Sequence, residues 1–352
     1  MLILFSSPRP AHAWGGRGHN TICEAAAFLV KNKELKEFLQ LRPHIMGHLC
    51  NIPDIQWKNS SSPSDVKAAS DPTHYLDPEL LGYTPKTIPT DFAQLEKDFT
   101  GKPSALDKDQ KIFSVPRQMG SVYWRVDQLM HVLADLKKDF DTAKPPQNRS
   151  EEQDDAFPFN KATYTFMTTA GIMGHFVGDA AQPFHETSDH DGYESGHGGI
   201  HWYYEELVVG YIDGDLIAKI IKNARAQKHP DWLKGTYVER MKKFGVVAYD
   251  DLDKVRKADP LTKKSEIKDE KGMKIKTPAE RKGPEVAVKK MEPLIVNEMA
   301  RAAMMLAQLW DEAYESVGKP PLMAYKSYKY PFNVDFIYPT YDDTPTKKEP
   351  AK

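Results

Sequence analysis

Residues 171–206 read GIMGHFVGDAAQPFHETSDHDGYESGHGGIHWYYEE. His175 and Asp179 stand four apart, and so do His201 and Glu205. His185 lies between the two pairs, just after Pro183. On a helix, side chains at i and i+4 share one face. Each pair can therefore close a chelate on a cation without distorting the backbone. Neutral imidazole and carboxylate are ordinary zinc ligands. One His-x-x-x-Asp pair alone would be a surface pair of a few tenths of a kcal/mol. Two pairs with a histidine between them point to metal. Gly171, Gly174 and Gly178 fall within the same helical pattern, where each costs about 0.5–1 kcal/mol against alanine. Something must approach this backbone closely, either another helix or a substrate.

Working outward, the length of 352 residues allows one large domain or two smaller ones. A net charge of −2 gives no bulk attraction to polyanions. Mean hydropathy is low and no apolar run reaches 18 residues, which excludes a transmembrane helix. Residues 1–13, MLILFSSPRPAHA, have the form of the end of a secretory signal with an A-x-A cleavage site at 11–13. The expected location is outside the cytoplasm, secreted or periplasmic. Cleavage after Ala13 would give Trp14 a free α-amino group, a nitrogen ligand with a pKa near 8. His19 follows five residues later in WGGRGH.

These stretches resemble the superfamily of zinc-dependent phospholipases C and single-strand-specific zinc nucleases of the nuclease P-one type. The likeness is carried by WGGRGH, NIPD at 51–54, THYLDP at 73–78, GHFVGDAAQPFH at 174–185 and HWYYE at 201–205. It implies three zinc ions. Asp54, His74, His175 and Asp179 would hold one. His185, His201 and Glu205 would hold a second. Trp14, through its amine and carbonyl, would hold a third with His19 and a bridging Asp179. Asp54 would also orient or deprotonate the attacking water. Clustered zinc ions suit phosphodiester hydrolysis, since they ionise water near neutral pH and neutralise phosphate oxygens.

The implied substrate is a phospholipid or other small phosphodiester, reached by transient contact with a membrane surface. Single-stranded nucleic acid is the alternative, and a non-catalytic zinc protein on the same fold is a third reading. No stable protein partner is expected. The family's nucleases carry Gly-Gly-Asn for base recognition and an arginine three residues after the loop aspartate. This chain has Gly198-Gly199-Ile200 there, and Trp57 followed by Lys58. Glu205 stands where the nucleases carry aspartate and the phospholipases glutamate. The short interval from His185 to His201 is also phospholipase-like, whereas the Trp14–His19 step is nuclease-like.

Helical periodicity recurs along the chain and convincing strands are absent. The expected fold is all-α, a single mostly helical domain at 14–318 with the metals in a cleft between helices. The segment after His19 predicts a helix capped by Asn20 or Thr21. Residues 116–140 predict one long amphipathic helix in which His131 is structural. Further helices are expected at 213–226, 230–246 and 294–316, the last stopped by Gly318 and Pro320. Phe184 and Tyr75 are candidates to line the cleft. His190, Asp191 and His197 read as solvated loop residues. Segments 86–159 and 252–285 look inserted; the second reads as a solvated loop. Residues 319–352 form an irregular tail. Cys23 and Cys50 either pair or remain two buried thiols.

Overall fold

The computed structural model describes residues 14–341 except 229, 271–272 and 328. The expected signal at 1–13 and the end of the tail, 342–352, lie outside the described residues. The chain is mostly helical, as periodicity predicts. Among the described residues, no helix is long and apolar enough to cross a membrane.

The central element is the helix Pro158–Ala181. Pro158 starts it, where a missing N–H costs nothing. From Phe166 to Ala181 every residue is buried, so the helix is surrounded rather than one-sided. Gln182 ends it in extended geometry, as expected before Pro183. Around it pack the helices Gly15–Leu29, Pro43–Leu49, Val122–Asp135, Tyr237–Tyr249 and the long Pro284–Ser316. Their inward side chains form one continuous apolar core.

Several boundaries differ from expectation, each for a local reason. The first helix starts at Gly15, not after Asn20, with Trp14 at its N-cap. His19 is therefore a helical residue. The single helix expected over 116–140 is three pieces, Val115–Met119, Val122–Asp135 and Lys137–Thr142. Gly120 breaks it at φ 86°, a value that favours glycine. The break lets Asp77 N–H donate to Met119 O at 2.6 Å and Ser121 N–H to Pro72 O at 2.9 Å. It thereby fastens the segment that carries His74. The last long helix begins ten residues before 294, at Pro284, and tolerates Pro293 inside it. It ends at Ser316, with Gly318 left-handed at φ 84°.

The 252–285 segment is not a loop. It holds the helix Leu252–Ala258 and four short strands, β1 Leu261–Lys263, β2 Glu266–Glu270, β3 Met273–Thr277 and β4 Glu280–Arg281. β1 pairs antiparallel with β4, and β2 with β3, giving a two-tier ribbon. β2 and β3 are largely solvent-exposed, so no apolar alternation marks them in sequence. The tail, read as irregular, is irregular but held. Residues 319–341 run over the surface as a strap whose carbonyls accept hydrogen bonds. Arg42 binds Tyr325 O at 3.0 Å, Trp57 Nε1 binds Val334 O at 3.1 Å, and Gln128 binds Tyr338 O at 2.7 Å.

Candidate metal centre

Two helical pairs and four other side chains, His19 of the first helix among them, meet in one buried place. His175 and Asp179 project from the central helix, and both are solvent-free. His201 and Glu205 lie on a short helix, Ile200–Trp202, that runs on into a π-helical turn, Tyr203–Val208. His74 ends the 3-10 turn Asp71–His74, and Asp54 sits on the short turn Pro53–Trp57. His185 follows the central helix by a single turn at Pro183–Glu186.

Three groups of ligand atoms result: Asp54 with His74 and His175; His19 with His175 and Asp179; His185 with His201 and Glu205. All are buried. In the first, His74 Nδ1 is 2.9 Å from His175 Nε2, and 3.0 Å from Asp179 Oδ2. Asp54 Oδ1 lies 3.8 Å from both imidazole nitrogens. In the second, His19 Nε2 is 3.5 Å from Asp179 Oδ1, and its ring stacks on His175 at 4.0 Å. In the third, His201 Nε2 is 3.0 Å from His185 Nε2 and 2.8 Å from Glu205 Oε2.

Backbone carbonyls fix two of the tautomers. His175 Nδ1 donates to Cys50 O at 2.7 Å, and His185 Nδ1 to His74 O at 2.6 Å. A carbonyl only accepts, so both Nε2 atoms turn a lone pair or a second proton inward. His185 Nε2 and Glu205 Oε2 both face His201 Nε2, which carries at most one proton. His201 Nδ1, Glu205 Oε1, Asp179 Oδ1 and both ring nitrogens of His19 are buried with no hydrogen-bond partner. Buried polar atoms are nearly always satisfied. One arrangement that satisfies these together is cations shared among them, and the donor set of imidazole and carboxylate suits that. The residues therefore fit metal ions.

Electrostatics favours the ligand form of most of them. Burial pushes His74 down to about 3, with help from the Lys58 charge. Burial likewise pushes His185 to about 4 and His201 to about 3, and lowers His19. These imidazoles stay neutral at physiological pH, as ligands must. Burial acts to raise Asp179. The charge of His175, with the close approach of the His175, His19 and His74 rings, outweighs it and holds the carboxyl well below its ordinary range. Burial raises Glu205 to about 8. His175 is raised, because Asp179 and Asp54 together overcome its burial.

Trp14, implied as a ligand by the resemblance, packs against the centre. Its indole Nε1 donates to Gly178 O at 2.7 Å and its backbone N to Glu205 Oε2 at 3.2 Å. Trp14 is thus built into the centre, with its backbone nitrogen beside Glu205 of the third group. The glycines are explained by two neighbouring helices, Gly15–Leu29 and Pro43–Leu49. A Cβ on Gly171 would strike Leu49, one on Gly174 the sulfurs of Cys23 and Cys50, and one on Gly178 the His19 ring. Cys23 and Cys50 form a disulfide, closing the alternative left open by sequence.

The centre opens on a cleft of ≈ 400 Å³ whose walls include His74, His185, His201, Tyr75, Phe184 and Lys58. Phe184 and Tyr75 line it, as expected. Lys58 and Lys67 both line the cleft, and Lys58 Nζ lies 3.7 Å from Asp54 Oδ1. The i+4 spacing of Lys58 from Asp54 was the available signal. Asp77 was missed altogether. It lines the same cleft, and burial pushes its carboxyl well above the usual range. His131 stands apart beside Asp127 at 3.5 Å, consistent with a structural role. His190 is on the rim, 6.1 Å from the His201 ring. His197 is not solvated; it pairs with Asp259 at 2.9 Å. No family model matches the chain, and no curated protein matches it either.

Proposed function

We propose that the protein is a zinc-dependent hydrolase of phosphodiester bonds, acting on a phospholipid or a similar small phosphodiester outside the cytoplasm. The observation that carries this reading is the convergence of three buried ligand groups around Asp179, open to a cleft that also holds Lys58. Zinc ions bound there supply Lewis acidity for phosphoryl oxygens and ionise water near neutral pH. The chain's own residues do the rest. Lys58 offers a fixed positive charge to a phosphate oxygen. Asp54, with Oδ1 3.7 Å from Lys58 Nζ and 3.8 Å from His74 Nδ1 and His175 Nε2, would orient the attacking water and accept its proton. Tyr75 and Phe184 give the cleft an apolar wall for the substrate's body. The disulfide supports an oxidising compartment.

Three observations weigh against nucleic acid as the substrate. Trp57 is buried and its indole is committed to Val334 O. Tyr203 and Tyr204 of HWYYEE are buried, which removes them as base-stacking platforms. Gly198 N–H donates to Ser265 Oγ at 2.9 Å, and Gly198 O accepts from Ala279 N at 3.0 Å. The backbone that could grip a base is already used.

The expected result is chelator-sensitive cleavage of phosphatidylcholine or a related lipid to diacylglycerol and a phospho-alcohol, faster than cleavage of single-stranded DNA or RNA. Both rates are measured on one preparation with His201→Ala as the blank. A higher rate on nucleic acid, abolished in the blank, reverses the substrate assignment.

Proton release follows from Glu205. Burial raises Glu205 to about 8, so it carries a proton at pH 7 in the metal-free protein. A ligand must shed its proton to bind. Zinc uptake at pH 7 should therefore release protons, and affinity should rise with pH until about 8 and then level. Calorimetry in buffers of different ionisation heat checks this; heats independent of buffer at pH 7 refute it.

The N-terminus gives a further expectation. In a chain that retains residues 1–13, Trp14 N is a peptide nitrogen whose lone pair is delocalised and cannot bind metal. Processing to a free amine at Trp14 should add one tightly held ion and raise activity. Equal metal content and activity in processed and unprocessed protein would contradict it.

A further inference from the structure

We propose that Asp259 and Arg281 are positioning residues for the His201–Glu205 ligand pair, and that the 252–283 segment exists to seat this pair. The proposal rests on the metal-binding reading. It starts from a weakness in the local structure. His201 and Glu205 sit on a short helical run over 200–210 whose residues Tyr203–Val208 are π-helical. An element this short does not fix its own direction. Its entry is set by Gly198 and Gly199, the latter left-handed at φ 85°.

The ribbon grips that entry point. The Asp259 carboxylate is fully enclosed and accepts from Arg281 through both oxygens, at 3.0 and 3.2 Å. One of its oxygens also meets His197 Nδ1 at 2.9 Å. Arg281 then donates to the carbonyls of His197 at 2.8 Å and Gly198 at 3.2 Å. Ser265 N–H binds Gly196 O at 2.9 Å. On the ligand-bearing turn itself, the Tyr203 hydroxyl donates to Lys282 O at 2.7 Å, and the Arg281 guanidinium lies 5.0 Å over the Tyr203 ring. Arg256 holds the start of the same loop through Asp189 at 3.3 Å. A Cβ on Gly198 would fall 2.8 Å from Ser265 Cβ, so glycine there lets the ribbon approach, whereas Gly199 is favoured by its φ of 85°. The Gly-Gly pair thus serves as a seat for the ribbon. β2 and β3 are mostly exposed and reach the loop at Lys276, whose Nζ lies 5.0 Å over the Tyr193 ring; the described residues of the hairpin tip at 268–275 make none of these contacts.

The test uses Asp259→Asn and Arg281→Lys, which keep size or charge. Lysine cannot hold a carboxylate through two oxygens while reaching two carbonyls. A third variant replaces residues 268–275 by two glycines, removing only the hairpin tip and keeping the Ile267–Lys276 pair. Each metal-free protein is titrated with zinc alone, and hydrogen exchange is followed over 196–205. The expected result for the two point variants is one ion bound about tenfold more weakly or worse, with faster exchange at 196–205. The hairpin variant should match wild type in both. Wild-type zinc affinity at every site in both point variants would overturn the proposal, and so would unchanged exchange at 196–205. Failure of the wild type itself to take up zinc would instead overturn the metal-binding reading on which the proposal rests.

Discussion

His175→Ala is expected to lose most of the bound metal and nearly all phosphodiesterase activity. His175 is shared by two of the three ligand groups. Its Nε2 lies 2.9 Å from His74 Nδ1, 3.3 Å from Asp179 Oδ2 and 3.8 Å from Asp54 Oδ1. Its ring also stacks on His19. A change that only reorients a ligand weakens metal binding about 10–100-fold, so removal of a shared ligand should exceed that. Stability should fall too. The Cys50 carbonyl loses its imidazole donor, a buried deficit of about 1–3 kcal/mol, and a cavity replaces the ring. Lost binding energy from the metal adds to this. His131→Ala is the control, since His131 is half-exposed and outside the groups. Elemental content and rate on both variants decide the matter. A His175→Ala protein with wild-type zinc and turnover would refute the assignment.

Cys23→Ala/Cys50→Ala should lower the unfolding free energy by about 3–4 kcal/mol on the loop-entropy estimate for a bridge spanning 27 residues. The double change avoids leaving a lone thiol. The bridge ties the first helix, which carries His19, to the segment whose carbonyl orients His175. Both sulfurs also pack against Gly174 of the central helix. Metal affinity should therefore fall along with stability. Urea melts of the metal-free and metal-loaded forms separate the two effects. An unchanged midpoint in the metal-free form would contradict the stabilising role, and an unchanged zinc affinity would contradict the orienting one.

The parts of this centre that were readable in sequence are those set by helical spacing. His175–Asp179 and His201–Glu205 announce themselves because i,i+4 is a geometric signature that survives without tertiary knowledge. Asp54 and His74 carry no such mark. They lie on short turns whose placement depends on the Gly120 break and the strap, and only a family resemblance singled them out. Lys58 was half visible, at i+4 from Asp54 but overshadowed by Trp57. The ribbon was invisible because its hairpin faces solvent on both sides, so charge replaced the alternation that marks a half-buried strand. The long Pro284–Ser316 helix was read short, since Pro293 mimics a boundary that tertiary packing overrides.

The metal content of the folded, untagged protein tests the central claim most directly. Elemental analysis and native mass spectrometry should find three zinc ions per processed chain, removed by chelator together with activity and restored by zinc. A folded chain that contains no zinc and takes none up would contradict the account.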